Sequence, residues 1–286
     1  MSLKYRKVYI DTRYKTADSK SNSDFYFELD QPLVCPQGTV FYMSSISIPH
    51  SWTTIEPSLN SRLYFHIFDK TNTSINFSYI VFLSDGNYIG ADLATEIKTK
   101  MNAATNGQYA NLFNVVYDIK TNTIQILITN NNIAFYILTP NDLNDKLGGI
   151  YKLDYDKNNT LDCNEVLGNL EGLSFEYDIN LPFRSNYLNL QPIRNLYLHS
   201  SIGTYTTVAK RPNGYDNTII NHIAVNSNFN EMIFDELNTA NDWLECGGQT
   251  LKKLDFQLKT SKGDIVPLHG VNMSFALIFT KNLELS

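Results

Sequence analysis

Hydrophobic and polar positions alternate in short bursts at both ends of this chain, and the pattern changes in the middle. In DFYFELD (24–30), Phe25, Phe27 and Leu29 share one face against Asp24, Tyr26 and Glu28, the period of two of a half-buried strand. YRKVYI (5–10) and TVFYMSSISI (39–48) predict strands on either side of it. Between the first two strands, DTRYKTADSKSNS (11–23) reads as a polar loop with too little apolar content to pack. Pro32, Pro36 and Gly38 predict the next turn, and Pro49, which cannot donate to a ladder, ends the third strand.

The middle opens with LYFHIF (63–68) and INFSYIVFL (75–83), two strands joined by a polar turn at Asp69–Ser74. Asp85-Gly86-Asn87 then leads into a helix over 91–103. There Leu93, Ile97 and Met101 recur at i, i+4 and i+8, one stripe able to lie on a sheet. Strands resume at 113–119, 123–129 and 133–138, so this β-β-α-β-β-β run predicts a compact α+β unit. Helical turns are expected near 141–147 and 162–170, with Gly148 and Gly149 between them, then strands at 186–190, 194–199, 218–225 and 231–236. LKKLDFQLKT (251–260), the turn at 261–264, a short strand at Ile265-Val266 and VNMSFALIFT (271–280) read as a closing hairpin. So apolar a final strand is expected to be central, because an exposed edge of that kind invites aggregation. The fold class predicted is mainly β: a single jelly-roll β-sandwich formed by residues 1–58 and 186–286, with a large α+β insertion domain at 59–185. A sandwich loop tolerates such a guest because closure entropy grows slowly with loop length.

Composition narrows the function. With 43% hydrophobic and 13% aromatic residues, nearly all Tyr and Phe, the 286-residue chain can bury one large core or two modest ones. A net charge of −6 excludes a broad phosphate-binding face, so no nucleic-acid partner is expected. The basic stretch Lys4, Arg6 and Lys7 is read as a solvated or partner-contacting arm. Cys35, Cys163 and Cys246 are scattered without a CxxC pair, so buried free thiols are expected. No leader segment and no apolar run of membrane-spanning length is recognisable, which points to synthesis in a reducing compartment.

Candidate chemistry is sparse. Asp154, Asp156, Asn158, Asp162 and Glu165 place oxygen donors at positions 1, 3, 5, 9 and 12 of a twelve-residue loop, with Thr160 at position 7 to offer its carbonyl. That is the spacing that wraps Ca²⁺. Against it, Asn159 stands where glycine is favoured, and Gly148 and Gly149 leave no room for a full entering helix, so a polar loop is the competing reading. His50, His66, His199, His222 and His269 are isolated, with no His-x-His to start a metal site on facing strands. No nucleophile elbow, P-loop or dinucleotide fingerprint is present, and Asp85–Gly90 is a strand-to-helix turn. No catalytic residue and no cofactor other than Ca²⁺ is predicted.

The run VYIDTRYKTADSKSNSDFYFELDQPL, followed by GTVFYMSSISIPHSW, resembles the opening of penton-type minor capsid proteins of virophages, Polinton-like viruses and Polinton transposons. Those begin with an I-D-S/T-R strand, a Ser-rich loop and an S-D-F-x-F-x-L strand. The Gly86-Asn87-Tyr88 turn and the closing LDFQLKTSKGDIVPLHGVNMSFALIF are similar too, so the likeness touches about half of the chain. It implies a structural virion protein on a single jelly roll, made in the host cytoplasm or a viral factory. Five copies would form a homopentamer at each icosahedral vertex and contact the major capsid protein, with the insertion projecting for host attachment or vertex capping. The N-terminal arm and the loops 11–23 and 203–217 are the segments expected to meet neighbours. The alternatives are a viral attachment or carbohydrate-binding jelly-roll module whose tyrosines face sugar, and a hydrolase whose acidic pair is hidden by sequence separation.

Overall fold

The computed structural model describes residues 5–144, 153, 155–156, 159–169, 175–202, 209–211, 214–216, 218–236 and 243–281. The chain divides into two compact units, one made of Met1–Trp52 with Ile193–Ser286 and the other of Thr53–Pro192. In chain order, β1 (Arg6–Asp11), β2 (Asp24–Cys35) and β3 (Thr39–Pro49) begin the first unit. The second holds β4 (Arg62–Asp69), β5 (Asn76–Phe82), α1 (Gly90–Thr105), β6 (Phe113–Asp118), β7 (Thr123–Ile128) and β8 (Ile133–Ile137). It continues with α2 (Pro140–Asn144), α3 (Asn164–Leu167) and β9 (Phe183–Arg184). The first unit resumes with β10 (Asn195–His199), β11 (Ala209–Arg211), β12 (Gly214–Asp216) and β13 (Ile219–Ala224). It ends with β14 (Met232–Glu236), β15 (Leu244–Glu245), β16 (Gln249–Thr260) and β17 (Ser274–Lys281).

The first unit is a sandwich of two antiparallel sheets, β1-β17-β3-β14, with the short β15 also on β3, and β13-β10-β16-β2. Leaving aside β11, β12 and β15, its strands pair first with last (β1 and β17), then inward as β2 with β16, β3 with β14, and β10 with β13. A long hairpin rolled up on itself gives this nesting, which is the jelly roll. The second unit is inserted between the third and fourth strands of that roll. Apolar residues alternate inward from both sheets. Phe256 on one sheet and Phe275 on the other meet with ring centroids 4.9 Å apart, and Phe25 lies 5.4 Å from Phe256. All three are buried, so this cluster fixes the spacing of the layers.

Several local expectations are corrected. Residues 251–260 and 271–280 are not a hairpin. β16 lies between β10 and β2, while β17 lies between β1 and β3 in the other sheet. Two apolar strands close in sequence look like a hairpin, yet each here needs neighbours on both edges, so the connection between them crosses from sheet to sheet. The short strand at 265–266 reduces to a single bridge, Ile265 with Lys259. β2 does not turn at Pro32 but continues to Cys35 through a bulge, since Leu33 pairs with Leu251 and Glu28 with Lys253. Pro32 is tolerated there because the ladder is already interrupted, and the Lys252 ammonium donates to the exposed carbonyls of Leu29 and Asp30.

The loop 11–23 packs after all, through polar groups. Thr12, Asn22 and Ser23 are buried. The Asn22 amide donates to the carbonyls of Gly270 and Val271, at 2.9 Å each, and Thr12 Oγ1 accepts from Met273 N at 3.1 Å. Hydrogen bonding substitutes for apolar content in closing the first strand over the last.

In the second unit, β5-β4-β8 and β6-β7-β9 form two sheets against which α1 buries Leu93, Ile97 and Met101 completely. Asn102 near the helix end reads the β6 backbone, its amide donating to Phe113 O and its oxygen accepting from Phe113 N, both at 2.8 Å. Gly90 opens the helix because a Cβ there would lie 2.3 Å from the Tyr117 ring. Residues 186–190 form no strand. β9 takes the place beside β7, while Leu188 N donates to Asn122 O at 2.9 Å and Leu188 O accepts from the Asn122 side-chain amide at 3.1 Å. The limits at 52/53 and 192/193 differ from the expected 58 and 186. Ile55 bridges to Gly86, and Thr54 Oγ1 donates to Leu190 O at 3.0 Å, tying both flanks into the insertion. Of the helical turns expected at 141–147 and 162–170, residues 145–147 and 170 lie outside the described residues, as do Gly148 and Gly149.

Candidate interaction surface

The outer face of the β1-β17-β3-β14 sheet carries the most distinctive surface of the sandwich. Register sets Tyr9 beside Ala276 and Ser45, and Asp11 beside Ser274, Ser47 and Phe234. In SSISI (44–48) the isoleucines Ile46 and Ile48 are buried in the sandwich, while Ser45 and Ser47 stay partly open. Small side chains thus floor a trough of about 360 Å³. Tyr9 and Tyr14, 71% and 73% exposed, stand on one bank, and Phe234, 57% exposed, stands on the other. Met232 extends this bank on the same strand, 54% exposed.

Charge is confined to the rim. Arg13 grips Asp11 through Nε and Nη2, and this hydrogen bonding holds the Asp11 carboxyl below its ordinary pKa and raises that of Arg13. The Lys7 ammonium sits 5.0 Å from the centroid of the Tyr9 ring. Exposed aromatic walls over a small-residue floor can seat an apolar or aromatic edge of another molecule. The sequence reading nominated the loops and missed this face. Its signal lies in the serines that alternate with isoleucines in β3, but it becomes readable only when β1 and β14 are known to flank β17 and β3.

The calcium candidate is reached only in part. Asp154 and Asn158 lie outside the described residues. The Thr160 carbonyl, at the position where a calcium loop uses the backbone, accepts the Tyr64 hydroxyl at 2.6 Å. Asp162 accepts from Thr160 Oγ1 and from the backbone and side-chain nitrogens of Asn164. Leu161, at φ +49°, takes the left-handed turn, and Glu165 lies in the first turn of α3. Asp156 O accepts from Asn159 N at 3.1 Å. Among the described residues, no three His, Cys, Asp or Glu side chains are grouped to hold a metal.

His50 lies tilted against Trp52 with ring centroids 4.3 Å apart, and burial pushes its pKa down. His66 is buried against Ser78 Oγ at 2.8 Å and is pushed down to about 4 by desolvation. His199 meets Thr218, His222 meets Asn195, and His269 takes a positive φ at a turn. Cys35, Cys163 and Cys246 are all buried and reduced. Of the segments expected to meet neighbours, Lys4 and residues 203–208, 212–213 and 217 lie outside the described residues, while 209–211 and 214–216 form the β11–β12 pair.

A second concavity, of about 640 Å³, lies in the insertion between the end of α1 and the β7–β8 turn. It is lined by Gln108, Tyr109, Thr129, Asn130, Asn131 and Asn132. Its walls are amide-rich, with no carboxylate or histidine among them.

No family model matches the chain, and no curated protein matches it either. Among solved structures, the chain is similar to the mavirus penton protein, with 10% sequence identity and a TM-score of 0.50, over 98% of this chain and 100% of that one. A chain of the Sputnik virophage structure also matches, at 15% identity and a TM-score of 0.42, over 96% of this chain and 98% of that one. The chain shares the fold of the mavirus penton protein from end to end, both units included.

Proposed function

We propose that this chain is a structural virion protein, a penton minor capsid protein that forms homopentamers at five-fold vertices and contacts the major capsid protein. The observation that carries this reading is the jelly roll with its guest unit between the third and fourth strands, matched along the whole length of a penton protein. Fold alone is compatible with many roles. The choice among them is supported by the aromatic trough on an outer sheet face. A ring needs two unlike patches on each subunit that fit one another. The trough supplies one of these, with the small side chains of Ser45, Ser47, Ser274 and Ala276 receiving an apolar edge of the neighbour. The role proposed is assembly and not turnover, and the location proposed is the virion.

Size-exclusion chromatography with light scattering tests this. The expected species has the mass of five copies of the 32.6 kDa chain, alone or on mixing with the major capsid protein. A monomer under both conditions overturns the reading. Tyr9→Ser with Phe234→Ser is expected to weaken the pentamer while leaving the monomer folded.

A second reading, attachment to a host glycan, is favoured by the amide-rich cleft at Gln108 and Asn130–Asn132, since amides pair with sugar hydroxyls in both directions and Tyr109 offers a ring face. Glycan-array binding lost in Asn131→Ala with Asn132→Ala would support it, and no binding above background would remove it. Calcium at residues 154–165 is a separate proposal. Heat released on titrating Ca²⁺ into chelator-treated protein supports it, and no heat with an unchanged melting temperature removes it.

A further inference from the structure

Two of the three cysteines, far apart in sequence, converge at one corner of the sandwich. Cys35 ends β2 opposite Gln249, and Gly248 N donates to its carbonyl at 2.7 Å. Cys246 follows β15, and its own N donates to Thr39 O at 3.0 Å. The turns that carry them interlock. A Cβ on Gly247 would lie 3.0 Å from Gly38 N and 3.2 Å from the Gln37 Cα, so a larger residue would push the two turns apart by a few tenths of an ångström. Gly38 and Gly248 both hold positive φ, at +76° and +79°, to make the turns. Both thiols are buried, at 1% and 0% exposure. Hydrogen bonding between the two thiols draws Cys35 below its ordinary pKa and raises Cys246. Cys163 belongs to the other unit and to its apolar core, where burial pushes its thiol far up.

We propose that Cys35 and Cys246 are an oxidation site, a thiol pair that closes to a disulfide when the protein meets a small-molecule disulfide oxidant such as oxidised glutathione. When the interlocked turns open to admit the oxidant, the Cys35 thiolate attacks one of its sulfurs and releases one glutathione thiol. The Cys246 sulfur then attacks Cys35 in the mixed disulfide and displaces the second, so two protein thiols are oxidised and one glutathione disulfide is reduced to two thiols. The bond would tie the end of β2, in one sheet, to the segment that carries the chain from β15 in the other sheet to β16. It would therefore lock the two layers at one corner. The chemistry depends on the pair alone. A particle protein that passes from a reducing cell to the oxidising exterior is one setting in which it would operate, but the inference does not rest on the vertex reading.

The test uses the full chain, reduced and then incubated with oxidised glutathione under native conditions. Thiol titration after denaturation is expected to fall from three free thiols to one, and unreduced peptide mapping is expected to find Cys35 joined to Cys246. Wild type and Cys163→Ser should both gain several degrees in melting temperature on oxidation, and Cys35→Ser should gain nothing. Three thiols remaining, stable glutathione adducts without an internal bond, or pairing that involves Cys163 would each overturn the proposal. The wild-type mapping decides the matter even where a variant folds poorly.

Discussion

The two units of this chain differ in how far apart their partners lie. In the insertion, β4 pairs with β5 and β6 with β7 across short turns, and α1 packs on the strand that follows it. In the sandwich, β1 closes on β17 and β2 on β16, so the ends of the chain must meet before the core exists. Local contacts form early, while distant pairings wait on chain closure. The insertion is thus expected to fold first and to hold its structure when the sandwich is damaged, although it sits in the middle of the sandwich's sequence.

The largest effect comes from the sandwich core. Phe256→Ala removes the ring that meets Phe25 and Phe275, and should cost the sandwich about 3–5 kcal/mol. Calorimetry should show one transition moving down while the insertion's stays in place. Two transitions that shift together would show that the units are not separable. A smaller, pH-dependent effect belongs to the insertion. His66 is held neutral with its pKa lowered from 6.5 to about 4, so the unfolded chain takes up the proton first. Insertion stability should therefore be level above about pH 6.5 and lose the His66 contribution as pH drops from there to about 4, below which the lowered carboxyls Asp69, Asp118 and Asp178 carry the fall. The loss from His66 should be about 3 kcal/mol, and His66→Gln should remove that part of the slope. Melting temperature against pH, followed for the insertion transition, checks this. Smaller again is Gly90→Ala. The added methyl displaces the Tyr117 ring and its 2.9 Å bond to Asn122, for about 1–2 kcal/mol measured by urea unfolding, partly offset by the better helix propensity of alanine.

The same contrast explains what could be read from the sequence. Within the insertion, period and turn residues located β4 to β8 and α1 within a few residues, because each element is bounded by its own local signals. The sandwich strands were equally visible one by one, and the central place of β17 followed from its apolar run. Their pairing was not visible. The apparent hairpin of β16 with β17 is wrong because alternation identifies a face, not a partner. The bulge at Leu29–Pro32 was hidden because it depends on Lys252, a residue from the other end of the chain. The interaction surface fared worst, as its floor and banks come from four strands. The proximity of Cys35 and Cys246 was equally beyond reach, being a property of two turns and not of any spacing.

Nested pairing is the claim on which the vertex reading depends, and amide-to-amide nuclear Overhauser contacts on the deuterated full chain test it directly. Cross-peaks are expected across the register of β1 with β17, around Val8 and Leu277, and of β2 with β16, around Phe27 and Leu254, with none joining β16 to β17. A ladder of contacts between 251–260 and 274–281, with the first strand unpaired to the last, would contradict the jelly roll and the function proposed from it.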